Sequence, residues 1–301
     1  MKTFAIDCEL SYEGLGATTY LFNIAAREDE RQHIRSESFS VLQQLPYEEF
    51  SDFMGNRFFR VSTDGGPLSV RYRADVDLAP LPPLDGSTPV KPACLPPDTL
   101  PFLLPSRYCE SDRAFNMATG LFGHHTSQVA CVNAICTWIR DNIRYEIGTS
   151  LPHGSAWDVL QNRTGVCRDF AHVAVALARA MNIPTRFVTA HSAWDSPPPD
   201  FHALIECHAD GRWRLFDPTA MAPVDEVICI GRAMDAAQVP FCTVFGQFRM
   251  VRMSPLVEQV YAPCPGTPAV APGAVITARS SSVAESQTQR AILPEQEAST
   301  V

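Results

Sequence analysis

Residues 165–181 read Gly-Val-Cys-Arg-Asp-Phe-Ala-His-Val-Ala-Val-Ala-Leu-Ala-Arg-Ala-Met, and the fold prediction starts from this stretch. Apolar side chains recur after Cys167 at the i, i+3, i+4, i+7 spacing of a buried helix face: Phe170, Val173, Ala174, Leu177, Ala178 and Met181. A turn at Thr164 precedes the pattern and Pro184 ends it. The pattern therefore predicts a helix with Cys167 in its first turn, where unpaired N–H groups and the macrodipole favour a thiolate.

Two alternating segments downstream carry a histidine and an aspartate. Residues 201–208 and 212–217 have the pattern of two strands, and they are joined across Asp210-Gly211, a strong two-residue hairpin signal. The turn sets a register in which His202 and Asp217 point to the same face of the sheet. A slip of one residue would place them on opposite faces.

The predicted register also sets the distance between these two side chains. Leu204 would lie opposite Asp217, so His202 and Asp217 would be diagonal neighbours, about 7 Å apart at Cβ or less. An imidazole and a carboxylate at that separation can form a hydrogen bond. Asp200 lies on the same strand face and is the rival partner for the histidine, but its place at the outer end of the strand ranks it second.

A cysteine, a histidine and an aspartate together supply the groups needed for a thiol to attack an amide. The thiol acts as nucleophile, the imidazole as base, and the carboxylate holds the imidazole in one tautomer. A free cysteine is more often a small core hydrophobe, so Cys167 taken alone does not establish a nucleophile. The predicted positions of His202 and Asp217 favour the catalytic interpretation.

These segments resemble the bacterial transglutaminase-like superfamily, whose members include papain-like cysteine proteases with an N-terminal β domain. The resemblance is carried by three motifs: Arg163-Thr-Gly-Val-Cys-Arg-Asp-Phe-Ala-His172, Asp200-Phe-His-Ala203 and Trp213-Arg-Leu-Phe-Asp-Pro-Thr219. It implies an α+β fold in which an antiparallel β domain precedes a papain-like core of helices packed on an antiparallel sheet. It also implies a Cys-His-Asp site, with Cys167, His202 and Asp217 at the matching positions.

Other segments agree with the resemblance. Asp52-Phe-Met-Gly-Asn56 resembles a motif of the preceding β domain. Tyr145 and Trp157 lie upstream of the cysteine, where relatives often place a residue that helps to bind the oxyanion; either could do so, but core packing is the favoured role for both. The backbone N–H of Cys167 is a further oxyanion donor, by analogy with other cysteines at helix starts. Leu204 departs from the family, since many relatives have tryptophan there.

The pattern along the chain divides it into four parts. Residues 1–78 are predicted to form a β-sandwich-like domain, residues 79–105 a stiff, extended connector with nine prolines, and residues 106–262 the catalytic core with C-terminal strands. Residues 263–301 have few large apolar side chains, which is typical of a disordered tail. Helices are predicted at 112–122, 126–144 and 155–162, the last with Ser155 as its cap.

Composition limits the partners. The net charge of −9 disfavours a nucleic acid or an anionic membrane as partner, and no apolar segment approaches the length needed to span a bilayer. We therefore expect a cytoplasmic protein. Its ten cysteines show no Cys-x-x-Cys pair, so reduced core thiols are expected rather than disulfides.

No cofactor or metal is expected. His124, His125 and His153 have no cysteine or carboxylate at ligand spacing, which favours loop histidines, and no calcium loop is present. We expect His172 to be a packed structural residue and His208 to lie in solvent at the end of the hairpin.

The expected function is acyl transfer through a thioester on Cys167, with a protein or peptide as substrate. Water as acceptor makes a peptidase or amidase, and an amine makes a transglutaminase. The bacterial branch favours hydrolysis. A non-catalytic binding module on the same fold is the third possibility, and the presence of all three residues argues against it. The sequence sets neither the substrate nor the oligomeric state.

Overall fold

The structure is a computed structural model, and it describes residues 1–83, 91–151, 153–193 and 200–261. The predicted helices and most of the predicted strands are present, with small shifts at their ends. The helices are α1 (Ser111–Phe122), α2 (Gln128–Asn142), α3 (Ala156–Asn162) and α4 (Cys167–Ala180). The strands are β1 (Lys2–Gly14), β2 (Thr18–Phe22), β3 (Gln32–Val41), β4 (Tyr47–Ser51), β5 (Arg57–Thr63), β6 (Gly66–Leu78), β7 (Arg144–Tyr145), β8 (Thr164–Gly165), β9 (Thr185–His191), β10 (His202–Ala209), β11 (Arg212–Phe216), β12 (Ile228–Ala233), β13 (Cys242–Phe245) and β14 (Phe248–Val260).

The N-terminal region forms two four-stranded antiparallel sheets, in the orders β14-β1-β6-β3 and β13-β2-β5-β4. Every second residue of β1 is buried, because alternate side chains of a strand point to one face. The buried faces of both sheets contribute to one apolar cluster that includes Tyr12, Tyr20 and Phe22. The predicted N-terminal β region is therefore confirmed.

The C-terminal strands belong to these sheets and not to the catalytic core. β14 pairs with β1 from Thr3↔Val260 to Gly14↔Phe248, and β13 pairs with β2. The prediction that the segment up to residue 262 extends the core is wrong at this point. The physical reason is that β14 supplies backbone partners to the whole free side of β1, a pairing between distant segments that strand alternation alone does not specify. Residues 1–261 accordingly form one compact unit.

Part of the predicted connector folds into short helical turns rather than running extended, and a few of its side chains are buried. It forms 3₁₀ turns at Pro92–Cys94 and Pro97–Leu103. Phe102 is buried, and its ring lies edge-on to Trp213 at 5.2 Å between centroids. Residues 84–90 of this connector, and the tail predicted for 263–301, lie outside the described residues.

Helix α4 lies at the centre of the helical part of the predicted core. It packs against β9 and β10 on one side and against α1, α2 and α3 on the other, so that small side chains such as Ala174 and Ala178 are fully buried. The sheet has the order β11-β10-β9-β12 and is antiparallel. Helices packed on an antiparallel sheet are the predicted core architecture, and this prediction is confirmed. No helix within the described ranges is long and apolar enough to cross a bilayer.

Candidate active site

Cys167 is the first residue of α4, and the turn before it is held from both sides. The two-residue strand β8 pairs in parallel with β7, which fixes Gly165 beside Tyr145. The N–H of Val166 donates to Asp169 Oδ2 at 2.9 Å, so the carboxylate caps the start of the helix. A Cβ on Gly165 would lie 2.6 Å from the Cβ of Asp169, so this close approach requires glycine.

The hairpin has the predicted register. Its ladder runs from Ala209↔Arg212 to Ile205↔Phe216, and the next position along β10 brings Leu204 level with Asp217. His202 Nε2–H donates to Asp217 Oδ2 at 3.0 Å. The diagonal contact inferred from the Asp-Gly turn is therefore present in the structure.

Asp217 is held by three further donors in the turn after β11. Its Oδ1 accepts hydrogen bonds from the Thr219 N–H at 2.8 Å and the Thr219 hydroxyl at 2.7 Å, and its Oδ2 accepts one from the Ala222 N–H at 3.0 Å. Burial raises the pKa of Asp217, but the hydrogen bonds from His202, Ala222 and Thr219 outweigh burial and lower it. The carboxylate is thus charged and fixed in orientation beside the imidazole.

The second ring nitrogen of His202 faces the thiol. His202 interacts with the Cys167 side chain, and because Nε2 is bonded to Asp217, Nδ1 is the ring nitrogen left to face the thiol. Burial lowers the pKa of His202, but the hydrogen bonds with Asp217 and Cys167 outweigh it and raise the pKa to about 9. An imidazolium next to the thiol stabilises a thiolate. The arrangement can therefore supply a nucleophile and a proton donor together.

Of the two candidates for the oxyanion site, the structure places Tyr145 at the thiol. The Tyr145 hydroxyl interacts with both the backbone amide and the side chain of Cys167, and burial raises its pKa, so the hydroxyl keeps its proton and can donate it. Trp157 packs elsewhere, with the guanidinium of Arg113 over its ring at 4.5 Å. The pairing of β7 with β8 separates the two, and strands of two residues leave no recognisable signal in the sequence.

Asp200, the rival for orienting the histidine, lines the cleft near His202 but is not its hydrogen-bond partner. Its Oδ1 accepts the N–H of Phe201 at 2.6 Å. Loss of solvent raises the pKa of Asp200, although the Phe201 N–H and the charge of His202 act in the opposite direction. Asp217 is therefore the group that orients His202 in the structure.

A cleft of about 500 Å³ lies over the thiol. Its walls are mostly apolar and include Phe187, Phe201, Val239, Pro240 and Phe241, with Cys167 and His202 at its base. Ala236, Ala237 and residues 239–241 also line the cleft, and the sequence prediction did not assign them to the site. This segment follows β12 in an irregular conformation, so no periodic pattern marked it.

His172 holds this wall against α4. The buried ring stacks on Tyr108 at 5.2 Å, and its Nε2 accepts the N–H of Ala236 at 3.2 Å. Burial lowers the pKa of His172 to about 3, so the ring is neutral and able to accept. Its predicted packing role is confirmed. The prediction for His208 is wrong, because His208 is buried edge-on against Trp213.

Among the described residues, no group of three or more His, Cys, Asp or Glu side chains is arranged to hold a metal ion. Nor does any described cysteine form a disulfide; Cys94 is exposed, Cys167 is half-buried, and most of the others are buried.

Comparison with known proteins places this site in a family. Residues 116–218, which include Cys167, His202 and Asp217, match the transglutaminase-like superfamily. The crystal structure of a Cytophaga hutchinsonii protein named "Putative Cysteine Protease" is 35% identical, superposes with a TM-score of 0.81, and is matched over 87% of this chain and 91% of its own.

Two mycobacterial proteins are also similar. The uncharacterized protein ML0607 of Mycobacterium leprae is 33% identical over 127 residues, which cover 38% of this chain and 44% of its own length. The uncharacterized protein Rv2569c of Mycobacterium tuberculosis is 27% identical over 210 residues, covering 61% of this chain and 66% of its own. The chain thus spans about half to two thirds of these relatives. From the likeness to the Cytophaga protein over most of both chains and the match over the site, the chain belongs to the transglutaminase-like superfamily.

Proposed function

We propose that the protein is a cysteine-nucleophile acyl-transfer enzyme that acts on amide or peptide bonds, with water as the preferred acceptor. Cys167 is the nucleophile, His202 the base and acid, and Asp217 the group that orients the histidine. The substrate is a protein or a peptide, no cofactor is needed, and the expected location is the cytoplasm.

The observation that carries the proposal is the position of His202 between the other two side chains. Its Nε2 is bonded to Asp217 at 3.0 Å, which leaves Nδ1 for the thiol of Cys167. The Cys167 thiolate attacks the amide carbon, and the His202 imidazolium protonates the leaving amine as the thioester forms. His202, now neutral, takes a proton from water, and the resulting hydroxide equivalent cleaves the thioester.

The negative charge on the carbonyl oxygen needs donors in the transition state. The Cys167 N–H lies at the open start of α4, and the Tyr145 hydroxyl lies beside it. In the free enzyme these two groups interact with each other, and an oxyanion would accept from both. Tyr145 is thus the side chain that we assign to the oxyanion site, while Trp157 supports the core.

The first experiment identifies the reactive thiol. We expect iodoacetamide at pH 5.5 to modify the wild-type protein once, as measured by intact-mass spectrometry, because an ordinary thiol with a pKa near 8.5 is almost fully protonated there. The Cys167→Ala variant should lose this modification. Cys94 is exposed, so Cys94→Ala is the matched control and should keep it. Equal labelling of Cys167→Ala and wild type would refute the assignment.

A second experiment separates the acceptors. Release of product from a panel of glutamine-containing peptides is measured with and without a primary amine such as cadaverine. Hydrolysis predicts free acid and ammonia or a shortened peptide in both conditions. Amine incorporation that exceeds hydrolysis would instead identify a transglutaminase.

A further inference from the structure

An exposed aromatic surface lies on the outer face of the β13-β2-β5-β4 sheet. We call it the Phe53 patch; its apolar members are Leu21, Phe50, Phe53, Met54, Phe58 and Phe245. Phe53 is 93% exposed and Phe245 is 60% exposed, and together the residues line a depression of about 380 Å³. Contiguous exposed apolar surface of this kind usually marks an interaction site.

The loop that presents Phe53 is tightly held. Asp52 Oδ1 accepts the N–H groups of Met54 at 2.8 Å and Asn56 at 2.9 Å. The Asn56 side chain bonds to both backbone groups of Arg232, donating to the carbonyl at 2.9 Å and accepting from the N–H at 2.8 Å. Phe53 therefore projects from a rigid turn, and a rigid anchor loses little conformational entropy when it binds.

The Phe53 patch is continuous with the catalytic cleft along the chain. Gln238 borders the patch, the next three residues, 239–241, line the cleft, and Thr243 and Phe245 of β13 return to the patch. At about 3.3 Å per residue, Phe241 and Phe245 are roughly 13 Å apart. One extended polypeptide can therefore occupy the cleft and the patch together.

We infer that the Phe53 patch is an exosite for an apolar segment of the substrate polypeptide, about four to six residues from the part of that polypeptide that contacts the cleft wall at Phe241. This inference rests on the proposed function, because it identifies the occupant as the chain that also enters the cleft. A second copy of the protein fits less well, since each copy carries a net charge of −9 and the two would repel.

The test measures binding to the Cys167→Ala variant, which cannot form the thioester. Three fluorescein-labelled peptides share a central glutamine in a Gly-Ser-Ala background; one has Phe-Leu-Phe five residues before it, one has it five residues after, and one lacks it. We expect one apolar peptide to bind at least about tenfold more tightly than the peptide without Phe-Leu-Phe, by fluorescence anisotropy.

Two variants locate the binding. Adding Phe53→Ser, alone or with Phe245→Ser, should remove the difference between the peptides. Phe115 is 51% exposed on α1, away from the patch and the cleft, so Phe115→Ser is the matched control and should keep the difference. Circular dichroism checks that each variant is folded, and Phe53→Ser alone changes a side chain that is already in solvent.

Several results would overturn the inference. Equal affinities for the three peptides would do so, as would a difference that survives both patch substitutions. A dimer in sedimentation velocity that dissociates on Phe53→Ser would instead identify a contact between copies. Peptide binding does not require a reactive thiol, and iodoacetamide labelling does not require the Phe53 patch. Failure of the exosite would therefore appear in the binding experiment alone, and failure of the Cys167 assignment in the labelling experiment alone.

Discussion

Replacing Asp217 by Asn tests the centre of the proposed mechanism. In the wild type, four donors point at the carboxylate: the His202 ring, the Ala222 N–H, and the N–H and hydroxyl of Thr219. An asparagine can accept with only one of its two atoms. If its NH₂ group takes the Oδ1 position, this donor faces another donor, the Thr219 N–H. If the NH₂ group takes the Oδ2 position, it faces the donors of Ala222 and His202.

The expected losses follow from these contacts. Leaving a buried donor without an acceptor costs about 1–3 kcal/mol in the free energy of unfolding. Turnover should fall roughly 10²–10⁴-fold, because the imidazole is no longer held in the tautomer that faces Cys167 with Nδ1. The structure thus predicts a loss of stability together with the loss of activity.

The pH dependence gives a signature that a purely structural effect would not produce. The pKa of His202 is raised to about 9, largely by hydrogen bonding with Asp217 and Cys167 against the effect of burial. The imidazolium form therefore persists in the wild type until the pH approaches 9. In Asp217→Asn the pKa of His202 falls, so the basic limb of the pH–rate profile should move to lower pH.

The same shift affects stability. A folded-state pKa of about 9, above the unfolded value near 6.5, means that protonated His202 stabilises the fold fully below pH 6.5. This contribution should decline as the pH rises from 6.5 through 9. Thermal unfolding across that range should show a smaller decline for Asp217→Asn than for the wild type.

The assay is the rate of hydrolysis of a peptide substrate from pH 5 to 10, measured by product release, together with thermal unfolding at each pH. Asp200→Asn is the matched control, since Asp200 lies in the cleft without bonding to His202. A basic limb that stays in place in Asp217→Asn and moves in Asp200→Asn would refute the reasoning.

Two further substitutions test the supports of the site. Gly165→Ala places a Cβ 2.6 Å from the Cβ of Asp169, so we expect a loss of about 1–3 kcal/mol in unfolding free energy and a large loss of Cys167 labelling; wild-type behaviour in denaturant titration and labelling would contradict the steric argument. Asn56→Ala removes the partners of both backbone groups of Arg232, so we expect a similar loss of unfolding free energy, seen as a lower urea midpoint. An unchanged midpoint would mean that water replaces the side chain.

The parts of the site that the sequence predicted depend on local signals. The start of α4 follows from the apolar period after Cys167, and the His202–Asp217 contact follows from the Asp210-Gly211 turn together with strand alternation. Each of these depends on residues a few positions apart, so one chain is enough to infer them. The family resemblance added the role of each side chain.

Other features depended on contacts between distant residues. The pairing of β14 with β1 joins segments more than two hundred residues apart, and nothing in the alternation of β14 distinguishes this partner from the catalytic sheet. The choice of Tyr145 over Trp157 required the β7–β8 pairing, which two residues are too short to signal. The cleft wall at 236–241 and its contact with His172 required the packing of an irregular segment on α4.

The sequence by itself determined the three side chains of the site and the register that joins two of them, because helix period and turn geometry are local properties. Only the tertiary structure decided what surrounds those side chains: the donor beside the thiol, the wall of the cleft and the exposed Phe53 patch. These depend on which surfaces come together when the whole chain buries its apolar area, and that burial is non-directional, so local patterns do not specify its partners.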